Sequence, residues 1–228
     1  MNYAIILSGG IGSRLGLDMP KQYYEVNKKP IIRYVIETME QCEVVDGFVI
    51  VAAEEWQEYV REQISVPEKF LGYALPGENR QLSIYNGLCT LLGIAKEEDV
   101  VLIQDAARPN TSFKLIEACF NLTEDIDGAM PVLPMKDTVY LSEDGVQVSA
   151  LLERKKVFAG QAPESFRFGK YLAANEMLLP EKIRSINGST EPAILAGMHI
   201  QMIPGDERNY KITTDVDIKK LIDENMHC

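Results

Sequence analysis

The residues Tyr3-Ala4-Ile5-Ile6-Leu7 run straight into Ser8-Gly9-Gly10-Ile11-Gly12-Ser13-Arg14-Leu15-Gly16, and this junction constrains the chain more than any other stretch. An unbroken apolar run rich in β-branched residues has no polar face to turn toward water, so it reads as a strand buried on both sides. Three glycines within four positions follow at once. Lacking Cβ atoms, they permit a sharp turn and let backbone N–H groups approach a ligand closely, as a triphosphate requires. On their own the glycines fit a packing turn equally well. Arg14, a planar fork of donors, and Lys21, a mobile point charge after Pro20, favour a phosphate site gripped from two sides.

Two commoner glycine loops are disfavoured by spacing. A P-loop ends in Gly-Lys-Ser/Thr, a tripeptide that this sequence lacks. A dinucleotide fingerprint needs Gly-x-Gly-x-x-Gly, and here Gly16 falls one residue too far beyond Gly10 and Gly12. The carboxylate that should hold a ribose about 20 residues further on falls instead inside the helical segment 31–39. Hydride transfer is therefore disfavoured.

The rhythm of the chain beyond the loop is strand, helix, strand. Phe48–Ala52 and Val100–Ile103 read as further buried strands, and helical spacing runs over 29–39, 54–64, 81–94 and 112–122. Pro30 suits a first turn and Ser112 a cap. Repeated units of this kind imply a largely parallel sheet covered on both faces, with ligands beyond the carboxyl ends of the strands. One segment interrupts the rhythm. Thr138–Leu141 and Val146–Val148 flank Asp144-Gly145, a strong hairpin turn. A lone two-stranded ribbon is marginal in water, so Val139, Leu141, Val146 and Val148 call for a covering surface, from the same domain or another subunit. No linker or repeat divides the chain, which predicts a single domain over 1–228 with an arm at about 137–156.

Charge and composition remove several functional classes. With 23 Lys and Arg against 34 Asp and Glu the formal charge is −11, which argues against a nucleic-acid or anionic-membrane partner. Cys42, Cys89, Cys119 and Cys228 show no metal-ligand spacing, and His199 and His227 lie near no cysteine or carboxylate cluster. Reduced thiols and the lack of a signal peptide or an apolar run of about 20 residues predict a cytoplasmic protein.

The loop with Pro20-Lys21-Gln22 resembles the signature of the cytidylyltransferases that activate polyol phosphates, the 2-C-methyl-D-erythritol 4-phosphate and ribitol 5-phosphate enzymes. Later segments extend the resemblance over nearly the whole chain. The resemblance implies a Rossmann-like, mostly parallel α/β sheet with helices on both faces, of the nucleotide-diphospho-sugar transferase type, and a protruding β-hairpin arm exchanged in a homodimer. It implies transfer of CMP from CTP, with Mg²⁺, to a polyol phosphate with loss of pyrophosphate. Arg14, Lys21 and Lys211 would be the catalytic cations. Ser8, Gly9, Gly10, Gly12, Ser13, Gly77, Glu78, Arg80 and Ser83 would hold the nucleotide, although Ser83 suits a helix start equally well.

Acceptor contacts would come from Asp105, Arg108, Thr138, Arg154, Thr190 and Lys211. Asp105 lies at the tip of the third strand in Asp105-Ala106-Ala107-Arg108-Pro109. It would orient the acceptor or bind the metal, or pair with Arg108 to stiffen the turn. Arg154, read without the resemblance, belongs to a solvated charge run. Thr213 or Thr214 would cap the last helix, with Asp217 in its first turn and Lys211 just ahead.

Two segments depart from the family. Gln161-Ala162-Pro163-Glu164 stands where the family reads Gln-Thr-Pro-Gln, so a hydroxyl is lost and an amide becomes a carboxylate. Thr190-Glu191-Pro192 stands where it reads Thr-Asp and a further polar residue. Both lie on the acceptor side. Asp105–Pro109 and Lys136-Asp137-Thr138 favour the methylerythritol enzyme, whereas Gly160-Gln161 and Ser165-Phe166 favour the ribitol enzyme. A silent nucleotide-binding protein that lost its acceptor site at Ala162 and Glu191 is the alternative from another class.

Overall fold

The computed structural model describes residues 1–10 and 19–225; Gly12, Ser13 and Arg14 lie outside the described residues. In chain order, β1 (Asn2–Leu7) precedes a ribbon of β2 (Glu25–Val26) and β3 (Lys29–Pro30), then α1 (Ile31–Gln41) and β4 (Gly47–Val51). Next come α2 (Glu54–Arg61), β5 (Phe70–Ala74), α3 (Arg80–Thr90), β6 (Val100–Asp105), α4 (Phe113–Phe120) and β7 (Gly128–Pro134). The arm contributes β8 (Tyr140–Leu141) and β9 (Ala150–Leu151). The chain ends through β10 (Phe158–Gly160), β11 (Glu164–Arg167), α5 (Phe168–Glu176), α6 (Glu191–Leu195), β12 (Ile200–Pro204) and α7 (Asp215–Asn225).

The main sheet runs β5-β4-β1-β6-β11-β7, with β10 and β12 also paired to β7. Pairings among β5, β4, β1 and β6 are parallel, as is β12 with β7, while β10 and β11 run antiparallel to their neighbours. The expected, mostly parallel sheet is thus present. From β1 the chain builds outward on one side to β4 and β5, then returns to lay β6 on the other side. β1 and β6 therefore bound the place where the strand order reverses, the position at which open α/β sheets bind their ligands.

Alternate residues of β1 feed two cores. Ala4 and Ile6 join Ile32, Ile36, Met39, Val60 and Ile116, from α1, α2 and α4. Tyr3 and Ile5 face the other way, toward Ile84 and Leu88 of α3 and Phe168 and Tyr171 of α5. All thirteen of these apolar side chains are fully or nearly fully buried, which is why the strands lack the polar alternation of a half-exposed sheet. A smaller cluster, Val26, Ile31, Ile212, Ile218 and Leu221, seats α7 on the β2–β3 ribbon.

Two expectations change in detail. The helix expected over 81–94 is ordered over Arg80–Thr90, capped by Asn79, whose side chain accepts from Leu82 N at 2.8 Å. In the arm the returning strand is Ala150–Leu151, not Val146–Val148, with Tyr140 opposite Leu151 and Leu141 opposite Ala150. The reason is local. The Asp144 carboxylate accepts from both Val146 N and Gln147 N at 2.8 Å, which takes up the donors that a tight hairpin would use across the ribbon. Val146 stays 86% exposed and Val148 67%.

Candidate functional site

The glycine turn leaves β1 as Ser8, whose N–H donates to Val51 O at 2.9 Å and so extends the β1–β4 pairing by one step. Gln22 then fastens the turn. Its Nε2 donates to the carbonyls of Ser8 (2.6 Å) and Gly10 (2.8 Å), and the Tyr23 hydroxyl accepts from Ser8 Oγ. A Cβ on Gly9 would lie 2.7 Å from Pro76, so this glycine lets the turn press against the neighbouring loop. Among the described residues, nothing lies within 4 Å of a Cβ placed on Gly10. Lys21 donates to Ile212 O at 2.7 Å, which brings the glycine-turn cation beside the C-terminal segment that carries Lys211.

The loop 76–83 is held by its own atoms. Gly77 N donates to Ser83 Oγ at 3.0 Å, and Ser83 Oγ donates to Asn79 O at 2.9 Å. A Cβ at Gly77 would come within 2.3 Å of Leu82 Cβ, so only glycine fits here. Ser83 is thereby placed as an internal tie at the helix start. Glu78 turns outward to Arg184 at 3.3 Å, and Asn79 Nδ2 donates to the carbonyls of Ile183 and Arg184 at 3.0 Å each.

At the tip of β6, adjacent to the glycine turn because Leu7 and Asp105 are register partners, the chain gathers three cations on one carboxylate. Arg80 Nη2 lies 3.2 Å from Asp105 Oδ1, while Arg108 Nε at 3.4 Å and Lys211 Nζ at 3.0 Å share Oδ2. Burial opposes ionisation of Asp105, yet Arg80, Lys211 and Arg108 together hold its carboxyl well below the usual carboxylate range. Three positive groups face the Asp105 carboxylate, so the cluster stays net positive even with Glu164 nearby and attracts an anion. The local pairing of Asp105 with Arg108 and a role in the site thus coexist.

Asn209 sets this arrangement from below. It is fully buried, donates to Ala162 O at 2.7 Å and accepts from Thr111 Oγ1 at 3.0 Å, while its carbonyl takes Arg108 Nη1 at 2.6 Å. Ile212 N closes the segment onto Ala107 O at 2.8 Å. Downstream, Asp217 folds back to accept from the N–H groups of Thr213 and Thr214 at 2.8 Å, which fixes the start of α7. The other buried acid of the region is Glu164, at the first position of β11. Its carboxylate accepts from the hydroxyls of Ser189 and Thr190, the latter at 3.2 Å.

The expected site residues therefore divide. Ser8, Gly9, Gly10, Lys21, Gly77, Arg80, Asp105, Arg108 and Lys211 meet at one end of the sheet, with Thr190 joined through Glu164. Thr138 and Arg154 do not join them. Among the described residues, Arg154 hydrogen-bonds only the arm, donating to Lys136 O at 2.8 Å, and Thr138 is exposed. Magnesium at Asp105 does not fit the donor set. Both of its oxygens already face cations. Gln22 and Asn209 make contacts that local sequence patterns do not announce, and Glu164 stands out in the sequence only as a departure from the family. For the first two the only signal was their place inside Pro-Lys-Gln and Asn-x-Lys.

A mostly parallel α/β sheet with a glycine turn and a cation cluster at its switch point defines a nucleotide-handling transferase. A family model described as 2-C-methyl-D-erythritol 4-phosphate cytidylyltransferase matches residues 2–221. The enzyme of that name from Geobacter metallireducens is 34% identical over 95% of this chain and 94% of its own length. A ribitol-5-phosphate cytidylyltransferase from Streptococcus agalactiae is 30% identical over 95% and 92%. The structure of 4-diphosphocytidyl-2C-methyl-D-erythritol synthase from Anaerococcus prevotii superposes with a TM-score of 0.80 at 22% identity, covering 99% of this chain and 98% of that one. The chain belongs to the 2-C-methyl-D-erythritol 4-phosphate cytidylyltransferase family and is a CTP-dependent cytidylyltransferase. No helix among the described residues is long and apolar enough to cross a membrane.

Proposed function

We propose that this enzyme transfers CMP from CTP to 2-C-methyl-D-erythritol 4-phosphate. The observation that carries the reading is the surplus positive charge of Arg80, Arg108 and Lys211 on Asp105, set one strand from the glycine turn. An oxygen of the acceptor phosphate attacks the α-phosphorus of CTP, the bond to the bridging oxygen breaks, and pyrophosphate leaves with that electron pair. Phosphate is already a competent nucleophile, so the protein needs to position and neutralise rather than supply a covalent group. The glycine turn with Arg14 and Lys21 receives the polyphosphate, and the loop from Gly77 to Ser83 reads the base with its backbone. Lys211 and Arg108 face the acceptor phosphate.

Magnesium enters with the CTP phosphates, as part of the substrate, since this ion favours phosphate oxygens and water over a carboxylate crowded by cations. The exposed arm, with Thr138 and Arg154 at its root, reaches the acceptor site of a second subunit in a homodimer. The enzyme works in the cytoplasm. Ribitol 5-phosphate is the second acceptor to test, because the departures at Ala162, Glu164, Glu191 and Pro192 all fall on the acceptor side, and a relative named for that substrate matches almost as well. Pyrophosphate release from CTP with a panel of polyol phosphates decides. Release with methylerythritol phosphate is expected. Release only with ribitol phosphate supports the second reading, and CTP binding without release under any acceptor refutes both.

A further inference from the structure

We propose that Glu164 is a positioning residue that sets which polyol the acceptor pocket accepts, by dictating the direction of the Ser189 and Thr190 hydrogen bonds. An ionised carboxylate only accepts, whereas a glutamine amide at this position would offer both a carbonyl and two donors. One oxygen of Glu164 takes the Ser189 hydroxyl and the other takes the Thr190 hydroxyl, so each hydroxyl spends its single proton inward. The only other partner of Thr190 Oγ1 among the described residues is Met130 Sδ at 3.4 Å, a much weaker acceptor. The lone pairs of Thr190 are left to receive a hydrogen bond, which suits an acceptor that presents a hydroxyl as donor.

The setting of Glu164 makes this direction hard to escape. Glu164 pairs with Ile103, two residues before Asp105, so it sits beside the cation cluster with its side chain buried. The groups that act on it electrostatically come from every surrounding element: Arg80 on α3, Asp105 on β6, Arg108 in the following turn, Cys119 on α4 and Tyr171 on α5. Burial pushes its carboxyl up to about 7, against the pull of Arg80. Near neutral pH both the acceptor-only carboxylate and its protonated form are accessible, and only the carboxylate fixes both hydroxyls.

The inference rests on the acceptor chemistry proposed above, and the experiment separates the two. Native enzyme and Glu164→Gln are compared at pH 8.5 with CTP, using the preferred polyol phosphate from the panel and analogues of it that each lack one hydroxyl. The native enzyme should favour the full polyol over one particular deoxy analogue, and Glu164→Gln should lower that preference by about tenfold or more, as expected for a charge-assisted network. KM for CTP should move by a smaller factor than this preference, because the hydrogen bonds that the substitution alters run to Ser189 and Thr190. An unchanged preference in Glu164→Gln overturns the inference and leaves the acceptor reading intact. No release by the native enzyme with any polyol phosphate overturns both. Should Glu164→Gln fail to fold, Thr190→Val serves as the second variant, because it removes the oriented lone pairs while keeping the shape. Loss of the same preference supports the proposal, and retention refutes it.

Discussion

Lys21 shows how one side chain joins distant parts of the chain. Its ammonium donates to Ile212 O, so the cation expected at the polyphosphate also holds the segment that carries Lys211. Lys21→Ala should raise the barrier by about 3–4 kcal/mol if it acts like other preorganised electrostatic groups. Turnover measured by pyrophosphate release should fall by two to three orders of magnitude (~10²–10³) while far-UV circular dichroism stays native. Near-normal turnover would remove Lys21 from the chemistry. The two buried acids of the site respond to pH in opposite directions. Asp105 ionises more readily in the folded chain, so the stability it contributes is present above the unfolded pKa and is lost in acid. Glu164 is raised, from 4.5 to about 7, so its contribution is complete below 4.5 and is lost as pH rises through about 7. Glu164→Gln should therefore flatten the fall in melting temperature between pH 5 and 8, worth up to roughly 3 kcal/mol. An unchanged pH–stability curve would contradict that environment for Glu164.

At the scale of elements, the clearest tests are in turns. The ribbon of β2 and β3 closes through Asn27 at φ 54° and Lys28 at φ 63°, both left-handed. Such a two-residue turn suits Asn-Gly, and a lysine there carries a steric cost on the order of 1 kcal/mol. Lys28→Gly should raise the melting temperature by about 2–4 °C, read by calorimetry; a fall would show that chain entropy outweighs the relief. Gly77→Ala should act oppositely, because its methyl group would meet Leu82 Cβ at 2.3 Å and the loop must open. CTP affinity is expected to drop at least about tenfold with little change in the sheet, the size of effect that misplacement of a binding loop produces. The capping of α4 by Ser112 is visible in the sequence because Ser followed by a helical period is a local signal. The register of the arm is not, since Asp144-Gly145 marks a turn but cannot show that the Asp144 side chain captures two N–H groups and moves the pairing outward.

For the whole molecule, the arm raises the question of assembly. Tyr140, Leu141, Val146, Val148 and Leu151 lie exposed on one ribbon, which is an unusual amount of apolar side chain to leave in water. If two subunits exchange their arms as proposed, sedimentation should find a dimer. Replacing Leu141 and Val148 by serine should yield a folded monomer with strongly reduced turnover, because Thr138 and Arg154 then no longer reach a neighbouring site. An active monomer would refute the exchange. The alternation of buried strands and amphipathic helices, the glycine turn at the first strand tip and the cations of short motifs were all legible in the chain, because each depends on residues a few positions apart. The meeting of Arg80, Arg108 and Lys211 on Asp105 was not, nor was the burial of Glu164 against Ser189 and Thr190. These contacts join residues up to 106 positions apart, and only the packing of α3, β6, β11 and the C-terminal segment onto one end of the sheet brings them together. The sequence by itself determined which layers form and at which end a ligand binds. Tertiary structure alone decided which charges face one another, because Coulombic and hydrogen-bond energies depend on distances through space that no local pattern encodes.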